Sequence, residues 1–175
     1  MHMPYRGSEM KPLLNHASAR AVICAGAADN YDAPATMIAL RDEVGTLEHV
    51  IVATGDAPDG TLSLKAMIDD GGAGPIENPP VASDPAILCF TSGTSSAPKA
   101  VLHSYQTMLS NNRLAAPLYN MTPDDVVLGG PPFTHAFGLC VLNFTLMAGA
   151  TSLLMPAFSP PALIGLIESG KPTVA

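Results

Sequence analysis

An α/β fold with layered sheets covered by helices is predicted by three features of this 175-residue chain. Short apolar runs rich in strand formers recur along it. Segments of about ten residues with helical spacing separate those runs, and Gly, Pro and Asp punctuate the junctions. The length suits one domain or part of one. Apolar residues make up 47% and charged residues 13% of the chain. A charged fraction this far below the usual quarter or so implies that much of the surface faces other protein.

Met10, Leu13, Leu14 and Ala17 have helical spacing over residues 9–17, and Ala21-Val22-Ile23-Cys24 follows as a strand closed by Gly26. Pro34 opens a second helix that runs through Leu40 and ends near Gly45, and His49-Val50-Ile51-Val52-Ala53 is the next strand. Residues 62–68 read as a short helix. Asp69-Asp70-Gly71-Gly72-Ala73-Gly74-Pro75 is then a linker, prolonged by Pro79-Pro80 and Pro85. The expected division is an incomplete α/β lobe over residues 1–75 and an incomplete second portion over residues 76–175.

Ala86-Ile87-Leu88-Cys89-Phe90 reads as a buried strand, and Val101 and Leu102 resume a strand after a polar loop. Ser104 is placed to cap a helix over residues 105–116, stopped at Pro117. A turn at Thr122-Pro123-Asp124-Asp125 precedes the strand Val126-Val127-Leu128, and Gly129-Gly130-Pro131-Pro132 breaks it. A long apolar helix then runs to about Ala148 with Gly149 as its C-terminal cap. Residues 151–155 form a strand, Pro160 or Pro161 starts a helix through Glu168 that Gly170 ends, and residues 173–175 open another strand. A chain that stops inside a core strand is expected to be a truncated piece of a larger domain.

Eight basic residues against fifteen acidic ones leave a net charge of −7. That balance provides no electrostatic footprint for nucleic acid or an anionic membrane. The most apolar stretch, residues 136–150, contains Asn143 and Thr145 and reads as a buried helix, so no membrane insertion is expected. Cys24, Cys89 and Cys140 are odd in number and far apart, which argues against a disulfide framework or metal-ligand spacing and for three buried thiols in a cytoplasmic setting. His2, His16 and His49 stand singly. His103 reads as a surface position beside the helix cap, and the Asp69-Asp70 and Asp124-Asp125 pairs as solvated turns.

The chemistry concentrates in Thr91-Ser92-Gly93-Thr94-Ser95-Ser96-Ala97-Pro98-Lys99. Small hydroxylated residues around a glycine cannot pack a core, but their N–H and O–H groups can surround a phosphate, and one lysine adds a point charge. A Walker A loop opens directly into a helix and ends in Gly-Lys-Ser/Thr. Here the ending is Pro98-Lys99-Ala100 and a strand follows, so this is a different phosphate loop.

Phe90-Thr91-Ser92-Gly93-Thr94-Ser95-Ser96-Ala97-Pro98-Lys99-Ala100 closely resembles the signature loop of the adenylate-forming, or AMP-binding, superfamily, of the acyl- and aryl-CoA synthetase type. Pro132-Phe133-Thr134-His135-Ala136-Phe137-Gly138-Leu139 resembles that family's second motif in order and spacing. Ser96 and Ala100 depart from it, standing where the family usually has glycine. The resemblance implies part of the large N-terminal domain of an acyl-CoA synthetase-like fold. It implies activation of a carboxylic acid by ATP to an acyl-adenylate and pyrophosphate, then transfer to coenzyme A, with Mg²⁺ as the accompanying ion.

By the same resemblance, Thr91, Ser92, Gly93, Thr94, Ser95, Ser96 and Lys99 hold the ATP phosphates, with Thr94 as a Mg²⁺ contact. Phe133, His135, Phe137 and Gly138 belong to the acyl pocket, with His135 a shape and gating residue rather than a base. The family's downstream acidic motif, ribose-binding aspartate and C-terminal lysine are not in this sequence. No catalytic residue is therefore assigned, and the fragment by itself is expected to be inactive, with exposed apolar surface that favours self-association. Two alternatives to the CoA ligase are a non-catalytic nucleotide-binding or scaffold module and an adenylation domain that loads a carrier protein.

Overall fold

The computed structural model describes residues 5–28, 30–72, 74–91, 99–155 and 158–174. The chain divides into two compact units, Met1–Pro79 and Pro80–Ala175.

In the first unit the order is α1 (Gly7–His16), β1 (Ala21–Cys24), α2 (Ala33–Arg41), β2 (His49–Val52), β3 (Leu62–Ser63) and α3 (Leu64–Asp69). The three strands form one parallel sheet, with Ala21 opposite His49 and Ile51 opposite Leu62. Helical spacing on α1 and α2 brings Met10, Leu14, Met37 and Leu40 against Val22 and Val50 of the sheet, and Val44 and Leu47 complete one buried cluster. Each such side chain contributes about 1.5–3 kcal/mol when fully buried. The helix expected over residues 62–68 begins two residues late. Leu62 and Ser63 instead pair with Ile51 and Val52, and the Ser63 side chain then caps α3 by accepting from the Ala66 N–H at 3.2 Å.

In the second unit the order is β4 (Pro85–Phe90), β5 (Ala100–Ser104), α4 (Tyr105–Tyr119), β6 (Val126–Gly129), α5 (Ala136–Ala148), β7 (Thr151–Leu154) and α6 (Pro160–Gly170). The β4 and β5 strands are antiparallel, whereas β6 and β7 are parallel. Val174 forms a parallel bridge to Val127 on the other side of β6, with the Leu128 N–H donating to its carbonyl at 2.9 Å. The strand onset expected at residue 173 is therefore present, and the whole is an α/β fold.

Two helix ends differ from the sequence reading. The α4 helix continues past Pro117 to Tyr119, because a proline in the last turn deletes a single intrahelical hydrogen bond, and Asn120 then closes the helix at a left-handed φ of 48°. At the end of α6 it is Lys171, not Gly170, that takes the positive φ. Gly170 instead sits close to β7: a Cβ there would lie 2.4 Å from Leu153 Cδ1, and the Leu153 side chain would have to shift. Gly149 caps α5 as expected, at φ 70°.

All three cysteines are free and half-buried rather than buried. Burial, with a smaller effect of the Asp32 charge, pushes the Cys24 thiol up and keeps it protonated. The low charged fraction of the chain appears as exposed apolar side chains, among them Leu114, Leu118, Phe137, Leu146 and Phe158. Among the described residues no helix is long and apolar enough to cross a membrane.

The C-terminal residues are held to β6 by a network centred on Asp125. Its carboxylate accepts from the Thr122 N–H at 2.7 Å and the Thr122 hydroxyl at 3.1 Å, and the Thr173 hydroxyl donates to it at 2.7 Å. The Val126 N–H in turn donates to Thr173 Oγ1 at 2.9 Å. The Thr122 N–H first, then the Thr173 and Thr122 hydroxyls, hold the Asp125 carboxyl below its ordinary value. A lowered carboxyl stabilises the fold above its unfolded pKa, near 3.9, and that contribution is lost as pH falls through the folded value. Asp125→Asn is therefore expected to lower the Tm at pH 6, with the gap to wild type closing in acid. Equal melting at pH 6 would remove Asp125 from this account.

Candidate functional site

The hairpin of β4 and β5 shifts register between Pro85 and Ile87, then holds one register from the Ile87–His103 pair to the Phe90–Ala100 pair, and one further residue on each side closes its neck. The Thr91 N–H donates to the Lys99 carbonyl at 2.9 Å, and the Lys99 N–H donates to Thr91 Oγ1 at 3.2 Å. The loop therefore connects two antiparallel strands, as the sequence implied. Ser92, Gly93, Thr94, Ser95 and Ser96 lie outside the described residues, and only Thr91 and Lys99 of the expected phosphate contacts are placed.

What is placed suits an anion. Thr91 Oγ1 accepts from its own neck, which leaves the hydroxyl hydrogen available to donate outward. The Lys99 ammonium is exposed and makes no ion pair among the described residues. The far end of the hairpin is anchored by a reciprocal cap. Ser104 Oγ accepts from the Thr107 N–H at 3.1 Å, and Thr107 Oγ1 accepts from the Ser104 N–H at 2.9 Å.

The second motif begins where β6 ends. The His135 N–H donates to the Pro132 carbonyl at 3.1 Å, and His135 is the N-cap residue of α5, its carbonyl accepting from the Leu139 N–H at 3.1 Å. Gly138 is buried in the first turn of α5. A Cβ at that position would lie 2.3 Å from the Pro132 oxygen and 2.9 Å from the Pro131 oxygen. The glycine of this motif thus lets the helix start directly on the Pro131-Pro132 backbone. Phe133, His135 and Phe137 are exposed.

A cleft of about 180 Å³ lies between the β4–β5 ribbon, α4 and α5. Ile87 and Cys89 face it from β4, and His103, opposite Ile87 in the register, faces it from β5. Met108 and Asn111 contribute from α4, and Ala136, Leu139, Cys140 and Asn143 from α5. None of Phe133, His135, Phe137 or Gly138 is among its described lining residues. The lining set was missed from the sequence, although its signal was there: residues 87 and 89 share a strand face, and 136, 139, 140 and 143 share a helix face. His103, expected at the surface, is half-buried because the strand register turns it toward α4 and α5. A larger cavity, about 340 Å³, lies in the first unit beside Cys24 and Tyr31 and involves neither motif.

The model of the AMP-binding enzyme family matches residues 2–175. This chain belongs to that family. The chain is 32% identical over 140 residues to an indoleacetate–CoA ligase of Aromatoleum aromaticum, covering 78% of this chain and 27% of the relative. It is 37% identical over 94 residues to a long-chain-fatty-acid–CoA ligase of Bacillus subtilis, covering 52% of this chain and 17% of the relative. The crystal structure of an anthranilate CoA ligase in complex with anthranoyl-AMP superposes with a TM-score of 0.81 at 21% identity, over 99% of this chain and 33% of that one. That likeness shows the shared fold. The chain spans about a quarter or less of the length of the two curated ligases.

Among the described residues, no group of three or more His, Cys, Asp or Glu could hold a metal ion. The Mg²⁺ contact expected at Thr94 lies outside the described residues. For the motif glycine, Gly138→Ala is expected to destabilise by about 1–3 kcal/mol, because the methyl meets backbone oxygen rather than a movable side chain. Urea unfolding reads this directly, and an unchanged midpoint would mean that the Pro131-Pro132 turn yields freely.

Proposed function

We propose that this chain supplies the phosphate-binding and acyl-side portion of an ATP-dependent carboxylic acid:CoA ligase. The observation that carries the reading is the closed neck at Thr91 and Lys99, which presents a donor hydroxyl and an exposed ammonium beside the small-residue loop. The family membership and the CoA ligases among its relatives support the same chemistry.

In this reading the acid's carboxylate oxygen attacks the α-phosphorus of ATP while the bond from that phosphorus to the bridging oxygen breaks. Negative charge accumulates on the departing pyrophosphate. Lys99 and the Thr91 hydroxyl lower the barrier by meeting that charge with groups already held in place. A carboxylic acid with a pKa near 4 is ionised at pH 7, so the step needs no base, and His135 shapes the acyl wall instead. The sulfur of coenzyme A then attacks the acyl carbon, its proton is lost, and AMP leaves, giving the thioester. The three free cysteines support a reducing, cytoplasmic setting.

The test is acid-dependent ATP–pyrophosphate exchange by the full-length protein with a panel of fatty and aryl acids. Lys99→Ala is expected to lower kcat/KM for ATP about 100-fold, and Thr91→Val by less, since the first removes a charge and the second one donor. Absence of exchange with every acid in the panel would refute the ligase reading.

A further inference from the structure

We infer that Cys89 and Cys140 form a redox-responsive thiol pair across the cleft between the β4–β5 ribbon, α4 and α5. A peroxide joins them as a disulfide, and a thiol reductant releases them.

Placement is the first argument. The three cysteines are far apart in sequence, yet two of them line one cleft from different elements, Cys89 from β4 and Cys140 from α5. Both are free and half-buried. The third, Cys24, lies in the first unit beside a separate cavity, where burial keeps its thiol protonated and so a poor nucleophile.

Local geometry is the second. A helical side chain leans over the turn N-terminal to it, so the Cys140 thiol is carried toward Ala136, whose methyl takes up little of the cleft. Cys89 shares its strand face with Ile87, and His103 is its diagonal neighbour across the ribbon. Among the described residues no three His, Cys, Asp or Glu come together closely enough to hold a metal ion, so these side chains are not a metal centre. The His103 imidazole instead offers a place for the proton that a thiol gives up before it attacks.

The chemistry balances with one peroxide. One thiol, as its thiolate, attacks a peroxide oxygen, the O–O bond breaks, and a sulfenic acid and water result. The second sulfur then attacks the sulfenic sulfur, the S–O bond breaks, and the oxygen leaves as water with the second thiol's proton. The two thiols lose a pair of electrons, and hydrogen peroxide gains them. A disulfide fixes its two Cα atoms within about 7 Å of each other, so the bridge pins α5 to the ribbon. Since α5 starts at His135 and the ribbon ends at the neck of Thr91 and Lys99, the bridge restrains both motif-bearing segments. In a reducing compartment such a bridge is transient and reports oxidant.

The experiment treats the full-length protein with a small excess of hydrogen peroxide, blocks remaining thiols with N-ethylmaleimide and maps the unreduced digest by mass spectrometry. A peptide linking Cys89 to Cys140 is expected, lost after dithiothreitol, with Cys24 recovered as its maleimide adduct. Cys89→Ser and Cys140→Ser should each abolish the link, and in one of them dimedone should trap the remaining cysteine as its sulfenic acid. The effect on activity rests on the ligase reading. Peroxide should lower acid-dependent ATP–pyrophosphate exchange several-fold, with recovery in dithiothreitol, whereas Cys140→Ser should keep its own untreated rate. Absence of the link, Cys24 in place of either partner, or a complete link that leaves exchange unchanged overturns the inference. Exchange absent before any peroxide removes the ligase reading alone, and the linked peptide then decides the thiol pair by itself.

Discussion

The pairing of β4 with β5, closed at its neck by the two hydrogen bonds between Thr91 and Lys99, is the constraint on which the second unit depends. It fixes three things at once. The ends of the loop between the strands, Thr91 and Lys99, are brought together although eight positions separate them in sequence. The register sets Ile87 opposite His103 and so decides which strand residues face α4 and α5. The last residue of β5, Ser104, begins the cap of α4, so the direction of that helix follows from the direction of the strand. A one-residue slip of β5 along β4 would turn His103 to the opposite face, away from Ile87 and Cys89.

Close backbone approach is the second recurring device, and it gives the glycines different jobs. Gly149 is needed for its positive φ at the end of α5. Gly138 has no such torsional demand and is needed because a side chain would collide with the Pro132 carbonyl, whereas at Gly170 it would meet only the Leu153 side chain, which can shift. Gly138 places the first turn of α5 against the Pro131-Pro132 turn, and so sets where His135 and the cleft-lining face of α5 lie.

Much of the element order was legible because it rests on local rules. Short apolar runs marked β1, β2, β4, β5, β6 and β7, and Pro34, Ser104 and Gly149 marked helix ends through a fixed torsion, a side-chain cap and torsional freedom. The misreadings were equally local. Pro117 was read as a stop although a proline in the last turn costs one hydrogen bond, and Leu62 and Ser63 were read as helical because their strand partner lies more than ten residues upstream. In the candidate site, the two motifs were legible as composition and spacing. The lining of the cleft was not, since Ile87, His103, Asn111 and Asn143 sit on four separate elements and none belongs to either motif.

By itself the amino-acid sequence determined the α/β class, the strand-to-strand nature of the loop between Phe90 and Ala100 and the adenylate-forming family. Those properties follow from short-range periodicity, turn chemistry and the residue types of contiguous motifs. The tertiary structure alone decided that Thr91 and Lys99 bond across the loop neck, that Gly138 is held by collision rather than by torsion, and that Asn143 and His103 share a cleft. The physical reason is that strand register and helix packing, not sequence neighbourhood, set which distant side chains meet.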